Sequence, residues 1–97
     1  MELKLSVQAE DDIIAIAEQS IAMFGPTQAR RYHVELFKTL DLIASTPRIA
    51  RERDEISPPV RIHPFKAHLI IYQIENDEAV FIIRIRHAFE DWISDPF

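Results

Sequence analysis

The stretch VFIIRIRHAFEDW, Val80 to Trp92, begins like a buried strand, then carries Arg84, Arg86 and His87 before turning acidic and aromatic. With Arg61 upstream, these are the side chains best suited to chemistry. Guanidinium groups can grip phosphate or carboxylate oxygens in pairs. A histidine can move a proton near neutral pH. Together such groups could serve as acid, base and transition-state cations, or as a docking surface.

Strand periodicity offers a blander account. Val80, Ile82, Arg84 and Arg86 fall on one face, and Phe81, Ile83, Ile85 and His87 on the other. The second set is the more continuous apolar face and is expected to pack beneath the helices. Arg84 and Arg86 then project from the opposite face, either solvated or meeting the carboxylates of an acidic segment. His87 reads as a satisfied histidine at a strand end. Trp92 either closes the core or anchors an interface. His63 with His68, or His87 with Asp91, makes no recognised metal-ligand spacing, so neither metal nor cofactor is expected.

The chain that must position these groups has 97 residues, 47% of them hydrophobic, enough for one domain, residues 1–97, with one core. There is no cysteine, which excludes disulfides and thiolate metal sites. No apolar run approaches the roughly 20 residues of a membrane span, and MELKLS lacks the pattern of a signal peptide. A soluble, cytoplasmic protein is expected. A net charge of −5 disfavours strong direct binding of nucleic acid, whose affinity is largely electrostatic. The basic residues concentrate late: Met1–Pro47 holds four against seven acidic, Arg48–Tyr72 five against three.

MELKLS alternates as a short strand. Ser6 is placed to cap a first helix whose stripe reads Val7, Ile14, Ala17, Ile21 and Phe24, flanked by Ile13 and Ile16. Gly25 ends it and Pro26 opens a second helix to about Ala44, with Ala29, Tyr32 or His33, Leu36, Leu40 and Ile43 apolar and Phe37 beside them. The short link makes a helical hairpin. RIARERDEISPP reads as a loop. Val60–His63, HLIIYQIE and AVFIIRIR read as strands, and FEDWI has the pattern of a short terminal helix. The expected fold is α+β, in the order β-α-α-β-β-β, an antiparallel sheet with the hairpin on one face.

In order and spacing, four pieces together resemble the ParE branch of the RelE/ParE toxin superfamily. They are LSVQAEDDIIAIAEQSIAMFG, QARRYHVELFKTLDLIASTPRIARERDEI, VRIHPFKAHLIIYQI and VFIIRIRHAFEDW. The resemblance covers nearly the whole chain. It implies a bacterial toxin neutralised by a ParD-like antitoxin in a hetero-oligomeric complex. ParE-like members are linked to poisoning of DNA gyrase, and RelE-like members to cutting messenger RNA on the ribosome; a degenerate member would only bind its antitoxin. The nuclease members carry basic residues on the later strands and His or Tyr near the end. Here Phe89 lies near where such a toxin often has tyrosine, and a phenyl ring transfers no proton. Lys38 and Lys66 form no dense lysine cluster. The expectation is therefore a gyrase inhibitor acting by contact, without catalytic residues, with Arg61, Arg84, Arg86, His87 and Trp92 at the contact surface.

Overall fold

The computed structural model describes residues 2–76, 79–89 and 97. The elements are β1 (Leu3–Leu5), α1 (Val7–Phe24), α2 (Pro26–Ser45), a 3-10 turn (Pro47–Ile49), β2 (Glu52–Arg53), β3 (Val60–Phe65), β4 (His68–Ile74) and β5 (Val80–His87). The α+β class, the two helices and the late strands are as the sequence implies. Trp92 and the FEDWI helix lie outside the described residues.

Both helix ends follow local chemistry. The Ser6 hydroxyl accepts the Ala9 amide at 2.9 Å and donates to the Ile83 carbonyl at 2.6 Å. The N-cap thus also ties α1 to β5. Gly25 has φ 85°, the left-handed conformation that disfavours a side chain. A Cβ there would meet nothing within 4 Å, so conformation and not space calls for glycine.

The five strands form one sheet in the order β1-β5-β4-β3-β2. It is antiparallel from β2 to β5, but β1 runs parallel to β5, with Leu3 opposite Val80 and Leu5 opposite Ile82. This corrects the wholly antiparallel expectation. The cause lies in the segment read as loop, where Glu52–Arg53 pairs antiparallel with β3. That extra strand adds one reversal of the chain and turns β5 to run with β1.

The main core lies between helices and sheet. Leu36, Leu40 and Ile43 of α2 and Ile70, Tyr72, Val80 and Ile82 of the sheet are at most 1% exposed. Each such aliphatic side chain contributes about 1.5–3 kcal/mol by leaving water. The α2 stripe is the one expected. In α1 the buried residues are Ala9, Ile13 and Ile16, while Val7, Ile14, Ile21 and Phe24 stand in solvent. Two apolar stripes share that helix, and the sheet takes the one with the small Ala9. A second cluster, Ile56, Val60, Ile71 and Ile83 with Ile62 and Phe81, occupies the far face of the sheet.

A β-bulge reverses part of the expected pattern in β5. Tyr72 pairs with Ile82 but Ile71 with Arg84, leaving Ile83 as the extra residue. Val80, Ile82 and Ile85 therefore face the helices, and Phe81 and Ile83 the far face. Strict alternation across an unseen bulge had put Phe81 and Ile83 under the helices.

Candidate functional site at the open end of the last two strands

Strand β1 stops at Leu5, so β5 beyond Ile82 has no strand on that side. Asp12 of α1 fills the gap. Its carboxylate accepts the Ile85 amide at 2.9 Å and the Arg84 guanidinium at 2.8 and 3.0 Å. A further Arg84 nitrogen donates to the Phe97 carbonyl at 3.3 Å. The Arg84 and Asp12 side chains are 21% and 16% exposed. Arg84 is therefore a half-buried clamp between α1 and β5, not a group projecting from an exposed face. The bulge and the short first strand together send it to the sheet edge.

Arg61 is committed in a similar way. It lies opposite Tyr72 and donates to the Ala50 carbonyl at 2.6 Å, while the Tyr72 hydroxyl donates to the Pro47 carbonyl at 2.7 Å. The two side chains hold the 3-10 turn and its exit against the sheet. Burial raises the Tyr72 pKa, against lowering contributions from a backbone hydrogen bond and the Arg61 charge. Arg61 on β3 and Arg84 on β5 are separated by β4 and grip different elements, the 3-10 turn exit and α1. Arg86 is half-buried and lies opposite Leu69.

His87 is brought into a different company. It pairs across the sheet with His68, ring centroids 5.4 Å apart, and its Nδ1 accepts the Phe89 amide at 3.2 Å. The Tyr32 hydroxyl lies 2.6 Å from His68 Nδ1. The Tyr32 ring stands edge-on to Phe65 at 5.1 Å. Lys66 Nζ is 5.3 Å from that ring's centre and pairs with Glu35, a favourable place for a cation. Burial raises the Tyr32 pKa, and Lys66 lowers that of Glu35, chiefly by hydrogen bonding.

Tyr32, His68 and His87 line one end of a mostly apolar cleft of about 260 Å³, with Met23 and Phe24 from the end of α1 and Ala67 from the β3–β4 turn. Met23 and Phe24 are more than half exposed, and Phe89 is 91% exposed. Gln19 connects the cleft to a smaller depression lined by Asp12, Ile85, His68 and His87. Of the expected contact residues, only His87 lines the cleft. Sequence reasoning missed Tyr32 and His68 as a pair because they are 36 positions apart. The available signal was that each closes an apolar stripe with a polar, ring-bearing end.

A cleft whose exposed lining is mostly apolar, with Gln19, Ser20, Tyr32, His68 and His87 as its polar groups, suits an aromatic or aliphatic side chain better than a phosphodiester. The family model for the ParE toxin of the type II toxin–antitoxin system, parDE, matches residues 3–92. The chain belongs to the ParE toxin family. It is 30% identical over 87 residues to Toxin ParE1 of Mycobacterium tuberculosis, as found in strains CDC 1551 / Oshkosh and ATCC 25618 / H37Rv, covering 90% of this chain and 89% of each relative. A solved structure described as the chromosomal ParDE TA system from P. aeruginosa shares the fold. Its TM-score is 0.77 at 19% identity, over 90% of this chain and 95% of that one.

Proposed function

We propose that this ParE-family chain is a cytoplasmic toxin that arrests growth by inhibiting DNA gyrase through protein–protein contact, and that a ParD-like antitoxin neutralises it. The observation that carries this reading is the family match over residues 3–92. Two features of the molecule support contact over catalysis. Arg84 gives its guanidinium to Asp12, and Arg61 gives one N–H to the Ala50 carbonyl. The cleft beside His87 is walled by Met23 and Phe24, groups that receive apolar side chains. In this reading Arg86 and His87 touch the partner, Arg61 and Arg84 hold the elements that present them, and Trp92 joins the contact. A supercoiling assay with purified gyrase and antitoxin-free protein tests the proposal. Inhibition is expected, weakened by Phe24→Glu. No inhibition at concentrations that arrest growth would overturn the gyrase target.

One observation favours a second reading. The hydroxyl of Tyr32 at 2.6 Å from His68, with His87 beside it, offers proton-transfer groups that Phe89 does not. A RelE-like messenger-RNA cleavage would use them as acid and base. Primer extension on translated messages distinguishes the two: cuts lost in His87→Ala would favour the nuclease.

A further inference from the structure

The outer face of the helical hairpin carries a second apolar stripe. Val7, Ile14 and Ile21 recur at intervals of seven on α1 and are 71%, 56% and 52% exposed; Val34 on α2 is 47% exposed. A seven-residue interval drifts only about 20° around a helix, so the three α1 residues form one line. That line is turned by roughly 100° or more from Ala9, Ile13 and Ile16, which face the sheet. The cleft residue Met23 lies on the other side of the core face, while Phe24, three residues on from Ile21, is where the stripe and the cleft adjoin at the end of α1.

The charges beside the stripe are divided between the helices. α1 carries Glu10, Asp11, Asp12 and Glu18 and no basic residue, and Asp12 is taken by Arg84. α2 carries Arg30, Arg31 and Lys38 and one unclaimed acidic residue, Asp41, all exposed, while its Glu35 is taken by Lys66. Arg30, Val34 and Lys38 follow at intervals of four and share one face. An acidic ridge centred on the α1 line thus lies beside a mainly basic ridge centred on Val34, with Asp41 at its far end.

We infer that this face binds a second copy of the chain. A two-fold axis parallel to the helices lays α1 of one copy antiparallel along α2 of the other. Glu18 then faces the Arg30 end of the partner helix, Glu10 and Asp11 face the end that carries Lys38 beside Asp41, and the α1 line meets Val34 between them. An axis across the helices would stack α1 on α1 and set acidic residues against acidic residues. The charge pattern selects the first arrangement. With helices of 18 and 20 residues the face is about 30 Å long and two helices wide. That is enough for an interface near the lower end of stable size, about 600–800 Å² per copy. The inference does not depend on gyrase being the target.

Size-exclusion chromatography with light scattering on the full chain tests it, from micromolar to submillimolar concentration. A mass twice that of the 11.3 kDa chain is expected. The double variant Ile14→Glu/Ile21→Glu should elute as single chains with an unchanged far-ultraviolet spectrum, because both side chains are already in solvent. Glu18→Arg should weaken self-association about tenfold, and adding Arg30→Glu should recover most of it. A wild-type chain that stays single throughout, or a dimer that survives the double glutamate variant, overturns the inference. So does a single-chain wild type whose double variant loses gyrase inhibition or antitoxin binding, since the face then belongs to that partner.

Discussion

The chain has two tyrosines, each with a short hydrogen bond, and they stand in opposite circumstances. Tyr72 is fully buried and donates to the Pro47 carbonyl, next to Arg61 on Ala50. Tyr32 meets His68 at the mouth of a cleft that Met23, Phe24 and His87 leave open. The first contact, like the Asp12–Arg84 clamp, joins elements distant in sequence and leaves no room for a partner. The second is assembled from the same kinds of groups but stays accessible. A polar pair at this fold's surface therefore signals binding only where the surrounding elements stop short. Here α1 ends at Phe24, beside the cleft.

The largest effect that can break this contrast is at the clamp. Asp12→Ala removes both Arg84 bonds and the acceptor of the Ile85 amide, leaving a half-buried guanidinium without its carboxylate. A stability loss of about 2–4 kcal/mol is expected from urea denaturation, since stranding one member of a sheltered pair costs more than the pair contributes. Asp12→Asn keeps an acceptor and should lose about half as much. If Asp12→Ala unfolds at the wild-type midpoint, Arg84 is not a closed contact and returns to the list of partner-binding groups.

The clamp also shows how far the sequence could be read. The order of helices and late strands followed from Ser6, Gly25, Pro26 and the α2 stripe, each a local signal with a local cause. Arg84 could not be placed that way. Its position depends on Ile83 being extra in β5, on β1 ending after Leu5, and on Asp12 arriving from another element. None of these is periodic. The α1 stripe failed for a related reason: Val7, Ile14 and Ile21 are more hydrophobic than Ala9, but close packing on the sheet favours the smaller residue, so hydrophobicity alone chose the wrong side. His87 was legible as a candidate because its strand was; its neighbours Tyr32 and His68 needed the fold.

A smaller effect sharpens the comparison of the tyrosines themselves. Tyr72→Phe leaves the Pro47 carbonyl without its donor in the interior, and a loss of about 1–3 kcal/mol is expected. Tyr32→Phe should cost less than about 1 kcal/mol, because water in the cleft can take the place of the hydroxyl. Its larger consequence is expected in gyrase inhibition. Equal stability losses for the two variants would show that the cleft is closed in solution.

The smallest effect appears only in alkali. Burial is the first cause that lifts both hydroxyls above the usual tyrosine value of 10.0. The folded chain therefore holds its phenolic protons more tightly than the unfolded one. The stabilisation this implies is complete below the unfolded pKa and disappears as pH rises through the folded values. Since there are two tyrosines, each single Phe variant reports the other by near-ultraviolet absorbance. Tyr32 can ionise into an open cleft, so in Tyr72→Phe the phenolate signal should rise while the far-ultraviolet spectrum is unchanged. Tyr72 can reach water only if the turn at Pro47 lifts or the sheet opens. In Tyr32→Phe the phenolate signal should therefore appear together with loss of secondary structure. If Tyr72 ionises first and reversibly in the folded chain, the turn at Pro47 is the more open of the two places, and the assignment of the cleft to binding loses its physical basis.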